Sequence, residues 1–233
     1  MRNLFWGLIL IAFILGSLAF SAETFLSTRQ KIVTAGQRMA NFDETASDSN
    51  LCLDTVWSEF ANRACMEVAR ETNCIEKNIL LASVSGTRAY EVDTAILNIL
   101  WTVRVENKTQ VPIKQFPAPY LAEIAGDTVL AEDESPTAYW FNGDSLIFYP
   151  TPVGVDTFLV GYSVYPHYLD MDTSTVNIPL EYREAVVLYI CHLFQMRAGK
   201  YEDATAFLAF YDKKIAKYRT EKAAHYDRPQ VSQ

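Results

Sequence analysis

Apolar residues follow several distinct patterns along this chain. Leu4 to Phe20 is a nearly continuous apolar run, preceded by Arg2 and closed by Ser21-Ala22-Glu23. From Glu23 the period becomes helical. Phe25, Leu26, Ile32, Val33, Gly36 and Met39 recur with Arg29, Lys31, Gln37 and Arg38 between them, which predicts a helix over 24–40. A polar stretch, Phe42 to Asn50, reads as a loop. Asp54 then stands at the start of a second stripe, Val56, Trp57, Phe60, Ala64, Cys65, Val68 and Ala69, which predicts a helix over 54–72 with Asn73 as its stop.

Beyond Asn73 the period falls to two. Ile79–Val84 reads as a strand, Ser85-Gly86 as a turn and Thr87–Val92 as the returning strand. Ala95–Val105 is a long β-branched run. Gln110–Phe116 carries Pro112, which restricts it to a sheet edge. Pro117–Ala125 has room for a short helix, and Gly126–Pro136 is an acidic loop. Thr137–Phe141 and Ser145–Tyr149 flank Asn142-Gly143, residues that supply the positive φ angles of a tight hairpin. Thr157–Tyr165 alternates and stops at Pro166.

His167–Ile178 is an irregular acidic loop, and Pro179 then opens a helix over 180–198. Gly199 interrupts it and a last helix follows over 201–224. Val186, Val187, Ile190, Leu193 and Phe194 form one stripe, and Phe207, Leu208, Tyr211, Ile215 and Tyr218 the other, so the two pack as an antiparallel pair. The order helix–helix, strands, helix–helix predicts an α+β fold: a four-helix bundle formed by N- and C-terminal helix pairs, with an antiparallel β-meander inserted at about 79–166. The organisation is then a leader over 1–22 and one α+β domain over 23–233.

Composition narrows the function. The 233 residues carry a net charge of −8 and are 50% apolar, which suits a folded core and excludes a disordered chain. An acidic balance disfavours sequence-independent DNA binding, which needs an excess of Lys and Arg. Three histidines, far apart, leave little for a His-rich metal site, and four cysteines without a C-x-x-C pair do not make a disulfide scaffold. Cys65 and Cys191 fall on apolar helix stripes and read as buried thiols. If the chain is exported, Cys52 and Cys74 are the better-placed disulfide pair. The basic start, apolar run and small residues at Ala19 and Ala22 read as a secretory signal or a short anchor.

Three strings mimic chemistry. Gly143-Asp144-Ser145-Leu146 spells the GDSL string of a serine-esterase superfamily, but it lies in a hairpin, and Val164, Tyr189 and Lys222 occupy the position three residues before each histidine where that chemistry needs Asp. Asp170, Asp172 and Glu181 have the spacing of a calcium loop, yet Thr175 stands where the loop needs glycine and Pro179 interrupts it. Asn107-Lys108-Thr109 fits a glycosylation acceptor, a string common by chance. No catalytic residue and no cofactor site emerges.

Longer phrases carry more. Trp57–Lys77 is a helix leading to a strand and a Gly-x-x-x-Tyr turn, Gly86 to Tyr90. Leu146–Pro166 holds an apolar strand, the P-x-P of Pro150 and Pro152, and a closing pattern of Val160, Tyr162 and Pro166. Asp170–Ala198 holds an acidic loop, the I-P-x-x-Y start of Ile178, Pro179 and Tyr182, and a Tyr-containing helix. Lys200-Tyr201-Glu202-Asp203-Ala204 opens the last helix. Together these stretches, spanning most of 24–224, resemble the head–tail connector (neck adaptor) proteins of tailed bacteriophages.

That resemblance implies a structural virion protein of the neck, between head and tail, and not an enzyme. Identical copies, about twelve in the family, would close a ring through heterologous contacts. Implied partners are the portal protein, on which the helical part would dock, and tail or nozzle proteins facing the β part. The packaged DNA would pass through an acidic channel without specific binding. The C-terminal tail would order on binding, with Tyr226, Arg228, Pro229 and Val231 as contact residues. The leader sets an alternative beside this reading: an exported or membrane-anchored α+β binding protein, periplasmic or membrane-bound, whose leader touches or crosses a membrane.

Overall fold

A computed structural model describes residues 28–40, 54–92, 95–106, 109–116, 135–143, 145–171 and 173–226. The chain divides into two compact units. One combines the residues up to Val68 with those from Pro166 onward; the other is Ala69–Tyr165. The architecture is α+β.

The first unit is helical. Its elements are α1 (Arg29–Met39), α2 (Asp54–Thr72, whose last turn belongs to the second unit), a 3-10 turn (Leu180–Tyr182), α3 (Arg183–Arg197) and α4 (Tyr201–Tyr226). The expected helix over 180–198 therefore starts as a tighter turn behind Pro179. Helix α3 is buried almost all round, from Ala185 to Gln195, because apolar residues occupy every side of it. The other three helices each touch it. Against α1, Gly36 lets the backbones approach closely: a Cβ there would lie 2.7 Å from Cγ2 of Ile190. Against α2, the ring of Trp57 stacks on Phe194 with centroids 4.9 Å apart. Against α4, Tyr189 meets Tyr211 at 4.9 Å, and Lys214 pairs with Glu184 at 2.6 Å. His192 Nδ1 also lies 3.0 Å from the Ala204 carbonyl; a carbonyl only accepts, so this nitrogen carries the proton.

The break between α3 and α4 is a left-handed glycine cap. Gly199 has φ +72°, and Lys200 N–H reaches back to the Gln195 carbonyl at 2.9 Å, satisfying a terminal acceptor that the helix cannot. Asn73 ends α2 by the same geometry, with φ 50°.

The second unit holds two four-stranded sheets. Its strands are β1 (Glu76–Ala82), β2 (Ala89–Glu91), β3 (Ile96–Glu106), β4 (Thr109–Pro112), β5 (Lys114–Gln115), β6 (Ala138–Phe141), β7 (Ser145–Tyr149) and β8 (Thr157–Val164). One sheet has the order β1-β8-β3-β4, the other β2-β7-β6-β5. They share a core of Ile96, Ile99, Ile113, Tyr139, Leu146, Phe148, Phe158, Val160, Tyr162 and Val164. At its centre Phe148 of one sheet stacks on Phe158 of the other at 4.2 Å. Strand β8 is central and buried on both faces towards its end. Gly161 is required there, since a Cβ would fall 2.2 Å from Cε2 of Trp101.

Three expectations for this unit are corrected. The strands do not run as a meander: β8 inserts between β1 and β3, and β5 pairs parallel to β6. The hairpin expected from Ile79–Val84 and Thr87–Val92 does not form, because β1 and β2 belong to different sheets. Tyr90 builds the corner between them: its hydroxyl accepts from Val84 N–H and donates to the Thr87 carbonyl, both at 2.8 Å. Finally, Asn142 N–H donates to the Ser145 carbonyl, so the β6–β7 loop is 143–144, and the positive φ falls on Gly143 and not on Asn142. Pro112 does stand in an edge strand.

Candidate functional site

The sequence offers no constellation for catalysis, so the surfaces that can bind other molecules are the relevant sites. In the helical unit the loop after Pro166 is fixed by unusually complete bonding. Asn62 of α2 donates from Nδ2 to the Leu169 carbonyl at 3.1 Å and accepts Leu169 N–H at Oδ1 at 2.7 Å. One side-chain amide thus replaces a strand partner and satisfies both backbone groups of a buried residue. Further along, the Arg183 guanidinium donates to the carbonyls of Ile178 and Val176 at 2.9 and 3.1 Å. Arg29 N–H donates to the Ser174 carbonyl.

Pinned in this way, the loop buries Leu169 and turns its neighbours outward. Tyr168 is 73% exposed and Met171 63%. Exposed aromatic and thioether side chains on a loop whose backbone is held in place suit contact with another protein.

In the β unit most of the exposed large apolar residues lie along β1 and the turns beside it (Ile79, Leu80, Val84, Val153 and Val155), with Val111 on β4 and Tyr165 apart from them. Ser83 holds that turn, donating to the Gly154 carbonyl and accepting Asp156 N–H. Strand β1 is the outermost strand of its sheet and nearly all its residues are exposed.

The residues singled out from sequence are placed as follows. Asp170 is exposed; its carboxylate accepts the Ser174 hydroxyl at 2.9 Å, and this bond, the largest cause, holds its pKa below the ordinary value. Glu181 lies on the exposed 3-10 turn, and Asp172 falls outside the described residues. No group of three or more metal-ligating side chains gathers among the described residues. Ser145 opens β7 opposite Glu91, so the GDSL string is a hairpin turn, as its position suggests. Cys65 and Cys191 are buried, and so is Cys74; Cys52 lies outside the described residues. Tyr226 ends α4, while Arg228, Pro229 and Val231 lie outside, as does the leader. No described helix is long and apolar enough to cross a membrane.

Asn62, Arg183 and Tyr168 escape the sequence reading. The one signal for Asn62 is an amide set between Ala61 and Ala64 in an otherwise apolar helix face, and this does not reveal a partner more than a hundred residues away.

The described chain thus holds a helical unit drawn from segments before and after a pair of sheets, with exposed apolar residues on each unit. In the comparison with protein families, residues 32–233 match the family described as SU10 adaptor protein. The chain belongs to this phage head–tail adaptor family, a family of structural virion components. It matches no curated protein.

Proposed function

We propose that the protein is a ring subunit of the virion neck, docking on the portal and joining it to the tail. The observation that carries this reading is the adaptor-family match across 32–233, which spans both the helical ends and the sheets between them. In this reading the four helices act as one bundle against the portal, and the β unit faces the tail or nozzle proteins. DNA passes through the ring without specific contact, helped by the acidic balance of −8. The tail beyond Tyr226 orders against a neighbour, with Arg228, Pro229 and Val231 in that contact.

Electron microscopy of the purified chain, alone and mixed with the portal protein of the same phage, tests the reading. Closed rings that cap portal particles are expected. Particles that remain single subunits in both samples overturn it. Fractionation of infected cells checks the alternative: an exported binding protein appears in the periplasm with its start near Glu23, whereas the adaptor copurifies with virions.

A further inference from the structure

The four sheet edges of the β unit are not alike. Strands β2 and β5 close one sheet with only three and two residues. Strand β4 ends in Pro112. Short strands and prolines are how proteins blunt edges that would otherwise pair with another chain. Strand β1 has neither device: it runs seven residues without proline, and Leu80 on it is 67% exposed.

The bonding phase of both edges of this sheet is fixed. Val164 N–H donates to the Ile75 carbonyl and Ser83 N–H to the Asp156 carbonyl, which fixes Lys77, Ile79 and Leu81 as the residues bonding β8. The backbone groups of Asn78, Leu80 and Ala82 therefore point outward. On the far side, Ile113 N–H donates to the Thr102 carbonyl, so Thr109 and Val111 bond β3 while Gln110 and Pro112 point outward. Pro112 withholds a donor but still offers its carbonyl.

From this geometry we propose that β1 of one copy pairs with β4 of the next, joining the sheets of neighbouring subunits; this rests on the ring reading above and names its seam. Two observations select the pairing. First, β1, β8, β3 and β4 alternate in direction, so β1 beside a neighbour's β4 is again antiparallel and the pattern continues unbroken. Second, the register that sets Leu80 opposite Gln110 also sets Ile79 opposite Val111. These are 41% and 37% exposed in the single chain, and each would cover the other on the same face. The seam contains the reciprocal Leu80–Gln110 pair and one bond from Asn78 N–H to the Pro112 carbonyl. The contact is heterologous, the type that closes rings.

Engineered disulfides in the full chain test this. Ile79 and Val111 would form a non-bonded antiparallel pair, with Cα atoms about 4.5 Å apart, within disulfide reach. Oxidation of the doubly substituted chain (Ile79→Cys with Val111→Cys) should give a ladder of covalent oligomers. Mixing the two single variants should give dimers only, and neither single variant alone should cross-link beyond the unsubstituted chain. As a second arm, Leu80→Pro should cut the oligomeric fraction at least tenfold while circular dichroism stays that of the folded monomer. Native rings by light scattering without a ladder overturn the seam and leave the ring reading intact. Cross-linking by Ile79→Cys alone overturns it in favour of a two-fold β1–β1 contact. A chain that stays monomeric at every concentration overturns the ring and the seam together.

Discussion

Single atoms decide several contacts in this protein, and those positions are where substitution is most informative. At Gly36 a methyl group would enter the space of Ile190 Cγ2, so Gly36→Ala should lower stability by about 1–3 kcal/mol, as overpacking does, read by chemical denaturation. Asn62→Ala strips both partners from the buried backbone of Leu169 and should cost about 2–4 kcal/mol; Asn62→Asp keeps the acceptor for Leu169 N–H but sets a carboxylate oxygen against the Ser58 and Leu169 carbonyls, and should cost at least as much. Urea unfolding ranks the two. Burial pushes the Cys191 thiol up to about 12 from an ordinary 9.0. Burial, reinforced by the carboxylates of Glu184 and Glu221, pushes the Tyr218 phenol up to about 12 from 10.0. Both groups hold their protons more tightly folded than unfolded, so the unfolded chain loses protons first as pH rises. Stability is then constant with respect to these groups below about pH 9 and declines from 9 towards 12. Thermal melts across that range should show the decline, and Cys191→Ala should flatten its first part, between pH 9 and 10.

Among the elements, α3 and β8 are the buried centres of their own units, with apolar side chains on opposite faces. Such elements have weak periodicity, yet their neighbours are easier to read. The stripe from Val56 to Ala69 leads to a helix at Asp54–Thr72, and the Gly199 break separates α3 from α4 where it was expected. What the pattern could not supply was strand pairing. The residues Ser85-Gly86 do form a turn, but whether the chain then returns along the same sheet depends on the Tyr90 hydroxyl and on Ser83, contacts invisible to a period of two. The hairpin at Asn142-Gly143 was legible as a hairpin and misread by one residue, because the bond from Asn142 N–H to the Ser145 carbonyl extends the ladder past the asparagine. Gly161→Ala is the sharpest test of β8, since the new methyl would overlap the Trp101 indole; a chain with a markedly lower melting temperature and blue-shifted or broadened tryptophan emission is expected.

For the molecule as a whole, membership of the adaptor family gives these parts a purpose that the candidate chemistry did not. The pinned loop with exposed Tyr168 and Met171 and the edge strand β1 lie in separate units. The first was unreadable because it depends on Asn62 and Leu169 meeting across more than a hundred residues. The second was half readable: Pro112 marked β4 as an edge, while β1 looked like half of a hairpin.

The helical unit is assembled from the two ends of the polypeptide, and this affects its birth on the ribosome. Helix α1 is translated well before the Ile190 surface against which Gly36 seats, since all the strands lie between them. At ordinary elongation rates the interval is on the order of 10–30 s. Through that time α1 and α2 are without the apolar surface of α3 that covers them, and their own apolar stripes stay open to chaperones.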